Sequence, residues 1–270
     1  MLTINDHDFQ KLAGIIKHKF GLNLFSRKAM VEARLTNYIL EKGYNNFSEY
    51  LDVLYKDSTQ NEMANLINKL TTNYTYFMRE AEHFKHFMDV FLPWAEKNIK
   101  DHDMRIWSAG CSYGNEAYNL AMCLDQYFGE RKKDWDLKIL ATDISFNALR
   151  KASDGIYSAE SVSTLSEPIR EKYFMNIDGK SFMVKESLRK NVIFKYHNLM
   201  DPISFKKPFD LIVCRNVMIY FDDETRTRLC RKFYNATVDG GYLYIGHAES
   251  VENLKYKKAA PAIYRKLGGE

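Results

Sequence analysis

The chain has 270 residues, 46% hydrophobic and 27% charged, with a formal net charge of +4 and four cysteines. That is an ordinary globular composition, long enough for about two domains or one large one. The charge is too small to imply nucleic acid, no stretch approaches the roughly 20 apolar residues of a membrane span, and the cysteines at 111, 123, 214 and 230 lack CxxC spacing, against zinc and against a disulfide framework. The opening MLTINDHDF carries no basic segment ahead of an apolar run, so a cytoplasmic protein without direct membrane insertion is expected.

In chain order, residues 1 to about 70 read as helices only. Phe9, Leu12, Ile15, Ile16 and Phe20 recur at helical spacing and Gly21 ends the run; Met30, Leu35, Tyr38 and Ile39 form a second run ending at Gly43. Two more follow, around 50–55 and 63–70. Between Lys11 and Arg34 six basic residues (11, 17, 19, 27, 28 and 34) face one acid, Glu32, a local excess suited to steering an acidic partner.

After about residue 75 short apolar runs alternate with amphipathic segments. MRIWSA, LKILAT, VIFKYH, FDLIVC and GYLYIG read as buried strands, and 115–128, 145–152 and 223–238 as helices. This predicts an α/β domain, a doubly wound and mostly parallel sheet with helices on both faces. YFMNI and SFMVKE flank Asp178-Gly179, a strong hairpin signal, and predict a small antiparallel insertion.

WSAGCSYGNEAYNLA, 107–121, places Gly110 and Gly114 in the first strand-to-helix turn, where ligands of open parallel sheets touch backbone. It is neither GxGxxG nor a phosphate loop. The next strand ends in ATD, with Asp143 at its tip, placed to accept both hydroxyls of a ribose. A ribose without a pyrophosphate suggests S-adenosylmethionine, whose ammonium Glu116 is placed to meet. Capping of adjacent helices by Asp143 and Glu116 is the competing reading. His83, His86, His197 and His247 have no metal-ligand spacing, so no metal site is expected.

LTTNYTYFMREAEHF (70–84), WSAGCSYGNEAYNLAM (107–122), ATDIS (141–145), HNLMD (197–201), FDLIVCRNVMIYFD (209–222) and GGYLYIGHAES (240–250) together resemble the CheR family of chemotaxis receptor methyltransferases. The resemblance implies a protein-glutamate O-methyltransferase that takes its methyl from S-adenosylmethionine, releases S-adenosylhomocysteine and modifies cytoplasmic helices of chemoreceptors. The protein is then expected to be a cytoplasmic monomer, recruited to receptor arrays. It also implies a helical recognition domain over 1–72, a methyltransferase domain over 73–270 and a β-subdomain at about 173–190, which in some members takes a receptor peptide as an added strand.

Carried over position by position, the family's cofactor contacts fall on Asn73, Thr75, Arg79, Glu116, Asp143, Asn198 and Leu199, with Gly110 and Asn216 beside them. Arg215 and Tyr220 fall near the reacting centre, and Arg79 and Tyr220 are the candidates for aligning the reactants. Arg79 suits a carboxylate, the cofactor's or the substrate's, with an ion pair to Glu80 or Glu82 as the bland alternative; Tyr220 either donates a hydrogen bond or packs among Phe209, Ile219 and Phe221.

The glycine turn departs from the family's STGEEPYS pattern. Tyr113, Asn115, Ala117 and Asn119 stand in place of a small hydroxyl residue, an acid, a proline and a serine, and Ala248 replaces a serine in GHAES. Tyr113 is expected to crowd the cofactor. Two other readings follow: a catalytically weak cofactor-binding signalling module, supported by that turn, and a small-molecule methyltransferase, for which no general base is evident. Arg27, Lys28 and Arg34 are expected to form the basic surface that meets acidic receptor helices.

Overall fold

The structure, a computed structural model, describes residues 1–59, 61–251 and 255–268. The N-terminal helices form as the periodicity predicts. In α1 (Asp6–Phe20) Asn5 accepts the amide of Asp8 at the start, and Gly21, at φ +76°, ends the helix; Phe9, Leu12, Ala13 and Ile16 are its buried stripe. α2 (Lys28–Glu41), α3 (Phe47–Lys56) and α4 (Asn61–Leu70) complete the bundle. α5 (Glu82–His86) continues through a π turn at Phe87–Phe91 into α6 (Leu92–Asn98).

The remaining chain runs β1 (Ile106–Ala109), α7 (Asn115–Phe128), β2 (Ile139–Asp143), α8 (Phe146–Asp154), β3 (Ile156–Ser158), α9 (Ala159–Val162), α10 (Glu167–Tyr173), β4 (Phe174–Asn176), β5 (Ser181–Val184), α11 (Glu186–Arg189), β6 (Val192–Tyr196), β7 (Phe209–Cys214), α12 (Asp223–Ala236), β8 (Thr237–Ile245), β9 (Tyr256–Ala260) and β10 (Ile263–Lys266). The large sheet has the order β6-β2-β1-β7-β8-β10-β9. It is parallel except where β10 pairs antiparallel with β8 and β9. All five strands expected for it form. β9 and β10 were not expected: β9, YKKAA, is an edge strand with three exposed residues and no apolar alternation. The small sheet, β3-β5-β4, contains the expected hairpin, but its third strand comes from 156–158, ahead of the expected 173–190.

The sheet separates two apolar clusters. On β8, Leu243 and Ile245 face one cluster and Tyr242 and Tyr244 the other, the period of two expected for a strand buried on both faces. The first cluster runs without interruption from Phe9, Leu12 and Ile16 of α1 to Trp107, Phe209 and Phe233, so the helical bundle and one face of the sheet share a core. All four cysteines are buried and free. Among the described residues no helix is long and apolar enough to cross a membrane.

Candidate active site

β1 is the turning point of the strand order, with β2 on one side and β7 on the other, and a cleft opens beyond the carboxyl ends of these strands. Three tight segments border it. Met78, Glu80, Ser112 and Asn216 all take left-handed φ, between +51° and +61°, a concentration of strain typical of built sites.

The two glycines answer to protein packing. At Gly110 (φ +84°) a Cβ would lie 2.4 Å from Cγ2 of Val217, and at Gly114 (φ +85°) 2.9 Å from Cβ of Ala152. Gly110 therefore lets the segment after β7 close onto the turn after β1, and it lines the cleft there.

Asp143 ends β2 and is buried. Its Oδ2 accepts the Ser112 amide at 2.8 Å and its Oδ1 the Ser145 amide at 2.9 Å, which fixes the carboxylate at the cleft wall with a lone pair to spare on each oxygen. Burial pushes its pKa up, against the pull of those amides. The helix-capping alternative falls to Ser145, whose side chain caps α8.

Arg215, directly after β7, has only 3% of its side chain exposed. It donates to Glu116 at 3.1 Å, to Glu80 at 3.2 Å and to the Arg79 carbonyl. Glu116 also accepts the Ser108 hydroxyl at 2.7 Å, so it is held by strand β1 and by Arg215 together. The Asn216 amide group donates to Glu80 at 3.2 Å. Burial raises the Glu80 carboxyl, and Arg215 with Asn216 outweighs it, holding the group below its ordinary value.

Arg79 pairs with neither Glu80 nor Glu82. It donates to the Tyr74 carbonyl at 2.8 Å and lies over the Tyr74 ring, and among the described residues no carboxylate neutralises it. Asn73, Thr75 and Arg79, from the segment before α5 that forms the cleft lip, Asn198 and Leu199, from the loop after β6, and Arg215, Asn216 and Tyr220, from the segment after β7, all line the cleft. Asn198 is buried and gives its amide N–H to the Lys19 carbonyl at 2.7 Å, while its oxygen accepts from Met200. Lys232 of α12 donates to the carbonyls of Leu199, Met200 and Asp201 at 2.7–3.1 Å, fixing the same loop. Tyr220 sits in the cleft beneath the Arg27 guanidinium, 5.6 Å from its ring.

One expectation is corrected. Tyr113 does not crowd the cleft: its ring lies 5.0 Å from the Lys151 ammonium, its carbonyl is bound by the Tyr157 hydroxyl at 2.6 Å, and it is not among the lining residues. The part of the signalling-module reading that rests on Tyr113 goes with it. Among the basic residues of the bundle, Arg27 is exposed, and Lys28, Lys17 and Arg34 have partners. Lys28 pairs with Asp6 at 2.6 Å, Lys17 with Asp222 at 2.5 Å, and Arg34 points to the cleft, donating to the Leu70 carbonyl at 2.5 Å and to the Thr72 hydroxyl at 2.7 Å.

Sequence reasoning missed the roles of four residues. Glu249, in the GHAES stretch, is buried and accepts the amides of Gly246 and Asn216 on Oε2 and of Ile219 on Oε1, stitching the ends of β7 and β8. Its signal, an acid just past a buried strand, was passed over for the neighbouring Ala248. Glu80 was weighed only as a partner for Arg79. His83 and His247 stack at 5.1 Å and, with Glu80, bring ligand atoms within 4.8 Å of one another, which linear spacing hides. Glu80 is already committed there to Arg215 and Asn216, so the group reads as an orienting network. Burial, aided by Arg215, lowers the His83 pKa to about 4.

Two family models match the chain: "CheR methyltransferase, all-alpha domain" over 7–71 and "CheR methyltransferase, SAM binding domain" over 73–264. A chemotaxis protein methyltransferase of Borreliella burgdorferi is 41% identical, covering 98% of this chain and 96% of its own. Those of Escherichia coli (34%; 94% and 88%) and Listeria monocytogenes (32%; 94% and 94%) are similar along nearly the same span. With five of the six sequence blocks lining one cleft, and the sixth joined to it through Glu249, the chain belongs to the CheR family of S-adenosylmethionine-dependent methyltransferases.

Proposed function

We propose that this cleft binds S-adenosylmethionine and a receptor glutamate side by side, so that the protein forms glutamyl methyl esters on chemoreceptor cytoplasmic helices as its family does. The observation that carries the assignment is the charge arrangement: an Arg79 guanidinium without a carboxylate partner among the described residues lines the same cleft as the buried and fixed Asp143 carboxylate. The residues present fit the cofactor. Asp143 keeps free lone pairs for a ribose diol, Glu116 offers an anion to an ammonium, Arg79 a fork to a carboxylate, and the buried Ser112 hydroxyl has no partner among the described residues.

When bound, the cofactor supplies an electrophilic methyl group on a sulfonium. The chain's own task is alignment. A glutamate, with a reference pKa of ~4.3, is ionised at neutral pH, so no general base is required. Positioning a carboxylate oxygen in line with a leaving group can lower a barrier by roughly 7 kcal/mol or more. Tyr220 and Arg215 line the cleft, where that orientation is set, and Glu249 fixes the backbone that carries both.

The substrate partners are chemoreceptors, met by a monomer working at their cytoplasmic arrays. The test is transfer of labelled methyl groups to a panel of receptor cytoplasmic fragments, with Arg79→Ala and Asp143→Ala as controls. Alkali-labile label lost in both variants supports the assignment; alkali-stable label, or full activity in both, overturns it.

A further inference from the structure

Helix α7 turns two polar side chains toward the cleft, Glu116 and, one turn later, Asn119. Glu116 has partners. Asn119 has none: it is 1% exposed, and among the described residues neither its Oδ1 nor its Nδ2 has a hydrogen-bond partner. A buried amide left in this way destabilises the free protein, and an apolar side chain of the same shape avoids that cost. The cost is compensated when a ligand completes the amide's hydrogen bonds.

The neighbouring chemistry narrows the ligand. Glu116, Arg215 and Arg79 put both signs of charge around the same part of the cleft, while Asp143 stands apart at the tip of β2. An amide presents a donor and an acceptor on one fork and so matches a zwitterion. We propose that Asn119 binds the α-amino-acid end of S-adenosylmethionine, N–H to carboxylate or C=O to ammonium, and that it does so as a departure from the serine of the family pattern. This rests on the cleft's being the cofactor site.

The test compares Asn119→Leu and Asn119→Ser with the parent, measuring the affinity of S-adenosylhomocysteine and of 5′-methylthioadenosine, which lacks the amino-acid end, together with the melting temperature of the free protein. Expected are roughly 10-fold weaker S-adenosylhomocysteine binding in Asn119→Leu, a smaller loss in Asn119→Ser, an unchanged weaker binding of 5′-methylthioadenosine, and no fall in melting temperature. Equal losses for both ligands, or S-adenosylhomocysteine affinity within twofold of the parent in both variants, overturn the proposal. Asp143→Ala separates the two levels: if it weakens S-adenosylhomocysteine while the Asn119 variants do not, only the role of Asn119 fails; if it too has no effect, the cleft assignment fails as well.

Discussion

Arg215 and Glu80, 135 residues apart in sequence, meet through a guanidinium–carboxylate contact of 3.2 Å that pins the lip carrying Asn73, Thr75 and Arg79 to the end of β7. Removing one member of a largely buried pair strands the other. Glu80→Ala is expected to lower stability by about 2 kcal/mol, cushioned because Arg215 keeps Glu116, and to weaken S-adenosylhomocysteine binding as the lip loosens. Urea denaturation and calorimetry measure both; unchanged affinity would mean that the lip holds no cofactor contact.

Asp143→Ala is expected to weaken cofactor binding by on the order of 10- to 100-fold, the worth of hydrogen bonds to a charged acceptor. Titration calorimetry with S-adenosylhomocysteine reads this directly. An unaltered dissociation constant would place the ribose elsewhere.

Gly110→Ala tests the packing of the turn. The residue would carry a strained φ, about 1–2 kcal/mol by itself, and its methyl would displace Val217 and the segment leading to Tyr220. A stability loss above about 2 kcal/mol with impaired methyl transfer is expected. Gly43→Ala, where a Cβ meets nothing within 4 Å, is the control for φ alone.

Arg34 was expected to act on receptor encounter alone. Because it anchors the Leu70–Thr72 backbone just before the cleft lip, Arg34→Glu should alter S-adenosylhomocysteine affinity as well as the salt dependence of methylation. An effect seen only in receptor kinetics, and abolished by salt, would return Arg34 to the receptor-facing surface.

His83 sets a pH dependence. Its pKa falls from an ordinary value near 6.5 to about 4 in the folded protein, chiefly through burial, so protonation favours the unfolded chain. Its contribution to stability is complete above about pH 6.5 and is lost as pH falls through the window down to about 4. His83→Asn, which cannot titrate, should flatten that part of the stability profile relative to the parent. Parallel profiles would mean that the imidazole titrates normally.

Legibility followed the length of the signal. β1, β2, β7 and β8 were readable because each carries a largely buried apolar run, and α1 because its stripe and Gly21 agree; β6 forms where expected, but as an edge strand with only Val192 buried. β9 and β10 were not, since YKKAA on an edge carries mostly outward-facing polar or small residues and earns its place by pairing rather than by pattern. In the site, motif residues such as Asp143 and Arg215 were found from local context. The roles of Glu80 and Glu249 were not: a carboxylate that collects amides from two strand ends has no local signature, and His83 meets His247, 164 residues away in sequence, only in three dimensions. Tyr113 was misjudged because sequence gives the bulk of a side chain but not its direction.

The uninterrupted core joining α1 to Trp107 and Phe233, with Asn198 gripping the Lys19 carbonyl, has a practical corollary for dissecting this enzyme. Phe20, Leu22, Leu24 and Arg27 furnish part of the cleft wall, so a truncation starting at residue 73 would bare a greasy flank and forfeit 10 of the 31 described residues that line its own binding groove. Chimeras that exchange the amino-terminal third between paralogues should accordingly shift nucleoside affinity together with receptor choice.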